Sequence, residues 1–525
     1  MMITGKMLIG QSAVRGDNGS LCAINPATHE TLSPDFGVGG MTEIDQACTL
    51  AQQAFDRYRA TTAEQRAQFL EAIATGILAL GAALIERASL ESGLPAARLI
   101  IERGRTVSQL RLFAKVVRDG HYLGATLDSA LPTRLPSRSD LRLHKIALGP
   151  VAVFGASNFP LAFSVAGGDS AAALAAGCPI VVKAHEAHLG TSELVGQVIQ
   201  QAAAAHSLPE GVFSLLIGDG NLFGQTLVSH PAIKAVAFTG SRQGGLALMR
   251  TAAQRSEPIP VYAEMSCINP VFLLPYALSM RASEIGRGFV EALTMSAGQL
   301  CTNPGLVIAL EGPSLTQFCD TALDTLRTKA AATLLTPGIH QAYLAGVEET
   351  ATINGVTTLG QGGPAQKPCA AQAALFVTDA ATFVTTGRLG DETFGPSSLI
   401  VACKNEEEML AVAEHLSGQL TATLQLDDAD HGLARKLLPI LERKAGRILA
   451  NGYPNNVEVS NAMVHGGPFP ASSDSRSSAV GASAIDRFLR PVCYQDLPAA
   501  LMPAALQDGN PLELWRTVNG ECVLG

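Results

Sequence analysis

Val151-Ala152-Val153-Phe154 and Pro179-Ile180-Val181-Val182 flank an alanine-rich stretch, Leu161 to Ala176, that stops at Gly177. This block sets the architecture. Two short, continuously apolar runs with a helical run between them read as strand, helix, strand. Strands without polar alternation are covered on both faces, as in a parallel sheet wrapped by helices. The same beat continues at Val212 to Leu216 and at Ala235-Val236-Ala237-Phe238, and it resumes after Glu264 through about residue 467. Upstream, residues 1–35 read as extended segments, with a turn at Asn25-Pro26-Ala27-Thr28. Helical patterns follow. One runs from Thr42 to near Tyr58, one starts at Thr61-Thr62-Ala63-Glu64 with capping-box spacing, and one runs from about Ala96 to Arg118. Residues 125–148 change character. Asp140-Leu141-Arg142-Leu143-His144-Lys145-Ile146 alternates like a strand and reads as a protruding ribbon.

The chain has 525 residues, more than one ordinary core accommodates, so two or three domains are expected. Hydrophobic residues make up 47% and charged residues 16%, which describes a well-packed soluble protein. The net charge of −9 comes from mixed signs with no basic stripe, which argues against a nucleic-acid partner. None of the ten cysteines forms a C-x-x-C pair, so no metal site and no dithiol motif is expected. The N-terminus lacks the pattern of an export signal, and no apolar run reaches the roughly 18 residues of a membrane span. A cytoplasmic protein with reduced thiols and no membrane partner is the expectation.

Several short strings carry chemistry. Cys301 follows Ser296-Ala297-Gly298-Gln299-Leu300, and Glu264 closes Tyr262-Ala263-Glu264. A thiol after a small turn can attack a carbonyl, and a carboxylate facing the same cleft can activate water. Most free cysteines, by contrast, are buried small hydrophobes. Phe238-Thr239-Gly240-Ser241-Arg242-Gln243-Gly244-Gly245 leaves a strand and opens a helix, where a phosphate finds free N–H groups. Its spacing is not G-x-G-x-x-G, and a plain glycine-rich turn fits equally. Lys183 and Glu186 lie at the carboxyl end of a parallel strand, where open sheets bind ligands, or they form a surface ion pair. Asn158, in Gly155-Ala156-Ser157-Asn158-Phe159-Pro160, can donate to an oxyanion or serve as a turn former. Asp391-Glu392-Thr393-Phe394-Gly395-Pro396 offers a carboxylate and an aromatic face at a turn.

Taken in order, Asn-Phe-Pro-Leu at 158–161, Lys-x-x-Glu at 183–186, Phe-Thr-Gly-Ser at 238–241, Glu264, Gly-Gln-x-Cys at 298–301 and Glu-x-Phe-Gly-Pro at 392–396 resemble the aldehyde dehydrogenase superfamily over roughly residues 5–495. The resemblance implies roles. Cys301 would be the nucleophile and Glu264 the base. Asn158 and the Cys301 N–H would form the oxyanion hole. Lys183 and Glu186 would hold the adenosine ribose, Gly240, Ser241 and Gly245 the pyrophosphate turn, and Glu392 and Phe394 the nicotinamide riboside. Arg105, Phe159, Phe163, His465 and Phe469 are the expected substrate contacts, and no metal is expected.

The implied fold is α/β. It has a Rossmann-like NAD(P)-binding domain (1–129 and 148–265), a catalytic domain (266–477), a β oligomerisation arm (130–147 and 478–497) and a tail (498–525). The partners expected are a small aldehyde, NAD or NADP, and further copies of the chain as a homodimer or homotetramer.

Ser157, Met265-Ser266-Cys267-Ile268-Asn269, Leu300 and Thr302 depart from the common pattern. With Val464-His465-Gly466-Gly467-Pro468 they look like the subgroup of 2-oxoglutarate semialdehyde (2,5-dioxopentanoate) dehydrogenases and bacterial fatty-aldehyde dehydrogenases. The expected reaction is aldehyde to acid through a cysteine thiohemiacetal and thioester. A fatty aldehyde is the alternative substrate. A CoA-acylating enzyme is disfavoured by Glu264 and a catalytically silent scaffold by Cys301, and a channelling module has no extra interaction segment beyond the tail 499–525.

Overall fold

A computed structural model describes residues 1–218 and 220–524. Its first sheet has seven strands in the order Val261–Glu264, Ala235–Thr239, Val151–Phe154, Ile180–Lys183, Phe213–Leu216, Met7–Ile9, Ser12–Val14. The first five run parallel, and Met7–Ile9 joins them antiparallel. Val151, Val153, Ile180, Val181 and Val182 are almost wholly buried, as expected of strands covered on both faces. The register is what matters for function. Phe154 pairs with Lys183 and with Phe238, and Thr239 pairs with Glu264. The segments that leave these strands therefore emerge along one carboxyl edge. The crevice at that edge is where open α/β sheets bind ligands.

The second seven-stranded sheet runs Thr357–Gln361, Ala374–Asp379, Ser397–Cys403, Leu306–Leu310, Pro270–Leu273, Gln419–Gln425, Ala445–Ala450. Every neighbouring pair is parallel except the first. A third sheet joins Leu489–Gln495, Leu141–Ala147, Thr126–Asp128, Trp515–Val518 and Glu521–Leu524. The ribbon expected near 140–146 is its second strand. The stretch 498–525, read only as a tail, supplies a hairpin to the same sheet. Residues 482–488, assigned to the arm from sequence, pack instead in the first core through Ala484, Ile485 and Phe488. Among the described residues, no single helix is long and apolar enough to cross a membrane.

Three local differences are informative. The second long helix, Ala63–Ala79, is capped one residue later than expected. Thr62 Oγ1 accepts from Gln65 N–H, and the Gln65 side chain accepts from Thr62 N–H. Gly81–Ser92 forms a separate helix that no sequence signal marked, ended by Gly93 in the left-handed region. The helix expected over 161–176 spans only Gly168–Ala176. The N–H groups of Leu161 and Ala162 donate to Glu102 Oε1, at 2.8 and 2.9 Å, rather than entering a helical ladder.

Candidate active site

The Glu264 side of the site is built by strand pairing. Glu264 bridges to Ser472, Met265 N–H donates to Ala471 O at 2.8 Å, and Ser473 N–H donates to Ala263 O at 2.9 Å. This stitching draws the preceding loop onto the strand end and carries His465 with it. His465 Nε2 lies 3.0 Å from Glu264 Oε1 and 3.5 Å from Cys301 Sγ.

Cys301 arrives on a turn with an unusual backbone. Ser296, Ala297 and Gly298 all have positive φ, at 52°, 57° and 67°. For the two residues with a Cβ this costs on the order of 1–3 kcal/mol each. Gly298 is required for a second reason: a Cβ there would strike the backbone of Gly395 and Pro396. The glycine of Gly-Gln-x-Cys is thus the contact point with the Glu392–Pro396 turn. Asn269 Nδ2 donates to the carbonyls of Cys301 and Asn303 at 2.9 and 3.0 Å, fixing the far side of the turn.

Asn158 Nδ2 donates to Gln299 O at 3.0 Å, beside the thiol, and keeps a second N–H. Its loop is held from the Ala96–Asp119 helix. Arg98 Nη2 donates to Asn158 O at 2.8 Å, and Arg98 Nε to Ser296 Oγ at 3.0 Å. Glu102, 3% exposed, pairs with Arg98 and accepts from Leu161 and Ala162. Sequence reading missed both residues. Their signal was an Arg–Glu pair at i, i+4, which is common on solvated helices as well.

Electrostatics set the resting protonation. Burial, and next the Glu264 carboxylate, push the Cys301 thiol well above its ordinary range. Burial also opposes ionisation of Glu264, but the His465 charge and hydrogen bond outweigh it and hold that carboxyl below its usual range. The pair is therefore arranged as thiol and carboxylate. Glu392 is pushed up to about 8, first by burial, then further by Glu264 and against a hydrogen bond from Ser266.

A cleft of about 700 Å³ joins Cys301, Glu264 and Asn158 to Lys183, Glu186, Gly240, Ser241, Glu392 and Phe394. Its features fit a dinucleotide. Ser241 caps the Arg242–Ala253 helix, accepting from Gly244 N–H. A Cβ at Gly240 would meet the Phe238 ring, and one at Gly245 would meet Met265, so the turn must stay bare. Lys183 Nζ and Glu186 Oε1 form a 2.9 Å ion pair on the rim. Burial first, then His188 and Lys183, lower the His185 imidazole well below its ordinary range. Its Nδ1 accepts from Ala187 N–H, as a neutral ring does.

Of the expected substrate contacts, four gather. The Arg105 guanidinium lies 4.9 Å from the Phe163 ring centre, Phe159 packs edge-on to Phe163 at 5.3 Å, and His465 is 5.8 Å from Phe163. Phe469 does not join them. It is 51% exposed and carries the Arg242 guanidinium over its ring at 5.7 Å. Arg447, which sequence reading missed, is near enough for its charge to bear on Cys301. It donates to the carbonyls of Pro454 and Asn456, while Arg105 Nε donates to Val457 O. Nothing in the Gly446-Arg447-Ile448 strand sequence separates Arg447 from an ordinary edge-strand cation.

A dinucleotide cleft opening on a thiol, a carboxylate and a side-chain amide defines a nicotinamide-dependent oxidoreductase of aldehydes. The chain belongs to the aldehyde dehydrogenase family, whose sequence profile matches residues 14–489. It is 58% identical to alpha-ketoglutaric semialdehyde dehydrogenase 2 of Azospirillum brasilense, over 99% of this chain and 100% of that one. It is 46% identical to the alpha-ketoglutaric semialdehyde dehydrogenase of Acinetobacter baylyi, over 98% of each. Among solved structures it is similar to a mutant of aldehyde dehydrogenase C of Pseudomonas syringae complexed with NAD+ and octanal. The TM-score is 0.80 at 22% identity, over 94% of this chain and 97% of that one.

Proposed function

We propose that this chain oxidises 2-oxoglutarate semialdehyde (2,5-dioxopentanoate) to 2-oxoglutarate with NAD. The observation that carries the substrate is Arg105. Its Nη2 is buried without a hydrogen-bond partner, on a guanidinium whose charge couples to Cys301. A buried unpartnered donor is costly, and a carboxylate at the far end of the substrate satisfies it in a charge-assisted bond. A long alkyl aldehyde leaves it unsatisfied. The two relatives above act, by their names, on a substrate with such a carboxylate.

Cys301 loses its proton to solvent in the cleft and attacks the aldehyde carbon as the thiolate. The free N–H of Asn158 and the Cys301 N–H hold the oxyanion. A bound nicotinamide, held beside Glu392 and Phe394, would supply the hydride acceptor. Glu264 then draws a proton from the water that releases the acid from the Cys301 thioester. His465, buried against Glu264, keeps that carboxylate oriented and ionised. Lys183 and Glu186 hold the adenosine ribose, Gly240, Ser241 and Gly245 accommodate the pyrophosphate, and Glu392 and Phe394 hold the nicotinamide end. The Rossmann-like and catalytic units divide near residue 265, and the third sheet serves as the arm. Its outer strand, Leu489–Gln495, lies at the sheet edge, and Leu135, in the turn that precedes the neighbouring strand Leu141–Ala147, is 98% exposed. Both features suit assembly into a homodimer or homotetramer. All ten cysteines are unpaired, in keeping with the cytoplasm.

Arg105→Met raises KM for 2,5-dioxopentanoate at least about tenfold, about 1.4 kcal/mol, and spares hexanal. Steady-state kinetics with both aldehydes checks this. An equal effect on both favours a fatty aldehyde as substrate, with Phe159, Phe163 and Val457 as the alkyl wall.

For the cofactor, His185 is neutral and the Lys183 charge is already paired with Glu186, so little remains to receive a 2′-phosphate. Glu186→Ala therefore raises kcat/KM with NADP relative to NAD, by about tenfold for one lost repulsion of about 1.4 kcal/mol. An unchanged ratio removes Glu186 from the ribose site.

A further inference from the structure

We propose that Glu264, Cys301 and His465 also form a zinc site, and that zinc bound there silences the enzyme. One ligand atom from each residue lies within 4.8 Å of the other two. Thiolate, imidazole and carboxylate are the three protein donors zinc takes. Tetrahedral zinc with bonds of about 2.3 Å to sulfur and 2.05 Å to nitrogen holds those two atoms about 3.5 Å apart. Cys301 Sγ and His465 Nε2 are 3.5 Å apart. The nitrogen–oxygen edge of the same tetrahedron is about 3.4 Å. His465 Nε2 and Glu264 Oε1 stand at 3.0 Å, so a small opening of that contact admits the ion.

Two further observations point to a ligand here. Glu264 Oε2 is buried with no hydrogen-bond partner, on a side chain 5% exposed. The cleft that reaches Cys301 and Glu264 gives the ion a way in and leaves its fourth position for water. The three ligands come from a strand end, a strained turn and a distant loop, so no spacing rule over the sequence finds them. Binding moves no electrons. The Cys301 thiol and His465 Nε2 each release a proton to solvent as the zinc–sulfur and zinc–nitrogen bonds form, and His465 binds as the neutral ring with its hydrogen on Nδ1. The sulfur lone pair that attacks the aldehyde and the carboxylate that activates water are then both engaged by the metal.

Cobalt(II) reports the site directly, because it takes zinc's geometry and absorbs in the visible. Titrating metal-stripped enzyme should give a thiolate-to-cobalt charge-transfer band and four-coordinate visible bands that saturate at one equivalent and vanish on adding zinc. Zinc should abolish aldehyde oxidation, and EDTA should restore it. His465→Phe and Glu264→Gln should each weaken zinc binding at least tenfold in competition with a chromophoric chelator. Cofactor binding and metal-free Tm in both variants verify their folding. Absence of the thiolate band overturns the proposal. So does a zinc affinity that both folded variants share with the parent, which would move the metal to the exposed Cys22, Cys493 or Cys522. The metal titration uses no aldehyde, so its failure is separate from failure of the substrate assignment.

Discussion

Cys301→Ala lowers kcat for aldehyde oxidation by about a hundredfold or more, at least about 2.7 kcal/mol of transition-state stabilisation, while cofactor affinity stays within about twofold. Cys301 is the one cysteine among the described residues that line the cleft, beside Glu264 and Asn158. Cys267 does not replace it, since it is buried and its Sγ donates to Cys301 O and Asn269 Oδ1. The substitution removes a small side chain at the mouth of the cofactor cleft without touching Lys183, Ser241 or Glu392. The measurement is a pair: turnover with the aldehyde, and cofactor titration by fluorescence quenching. Turnover above about one per cent of the parent's refutes Cys301 as nucleophile.

Glu264→Gln separates the two halves of the reaction. The amide keeps the volume and the contact with His465 but cannot take a proton from water. A burst of reduced nicotinamide, close to one per active chain, should be followed by a steady state slower by about two to three orders of magnitude, the usual worth of a general base. Stopped-flow absorbance of the reduced nicotinamide distinguishes the phases. Loss of burst and steady state together means that Glu264 also draws the proton from Cys301 in the first half. Intact turnover removes it from the reaction.

The parallel sheet was legible because its strands are continuously apolar and short, and burial on both faces leaves no other reading. The motifs were legible because each sits where a strand ends, and register then brings Asn158, Lys183, Ser241 and Glu264 to one edge. What was not legible depends on partners far away in the chain. Leu161 and Ala162 have helical composition, yet their N–H groups belong to a carboxylate on another helix, Glu102. His465 was read as a substrate contact, and only the bridge between Glu264 and Ser472 reveals that it faces a carboxylate 201 residues away. Phe469 follows a Gly-Gly-Pro string that offers no clue to which wall its ring joins, and it joins Arg242. The last two strands lie beyond the recognisable motifs. Only their pairing with Thr126–Asp128 makes them part of a sheet.

Gly298 rests against the backbone of Gly395 and Pro396, and Asn303 Nδ2 reaches Gly395 O at 3.3 Å. The turn bearing the nucleophile and the turn bearing Glu392 and Phe394 are thus keyed to one another, with no room for a single carbon between them. Arg105 and Val457 stand on a different helix and a different loop, and the Arg105 side chain bonds the Val457 carbonyl rather than either keyed turn. In a gene copied and set free to drift, the keyed pair can change only by two compensating steps at once. The Arg105 position can change by one. Descendants of this chain are therefore expected to differ in what they consume long before they differ in what they do to it.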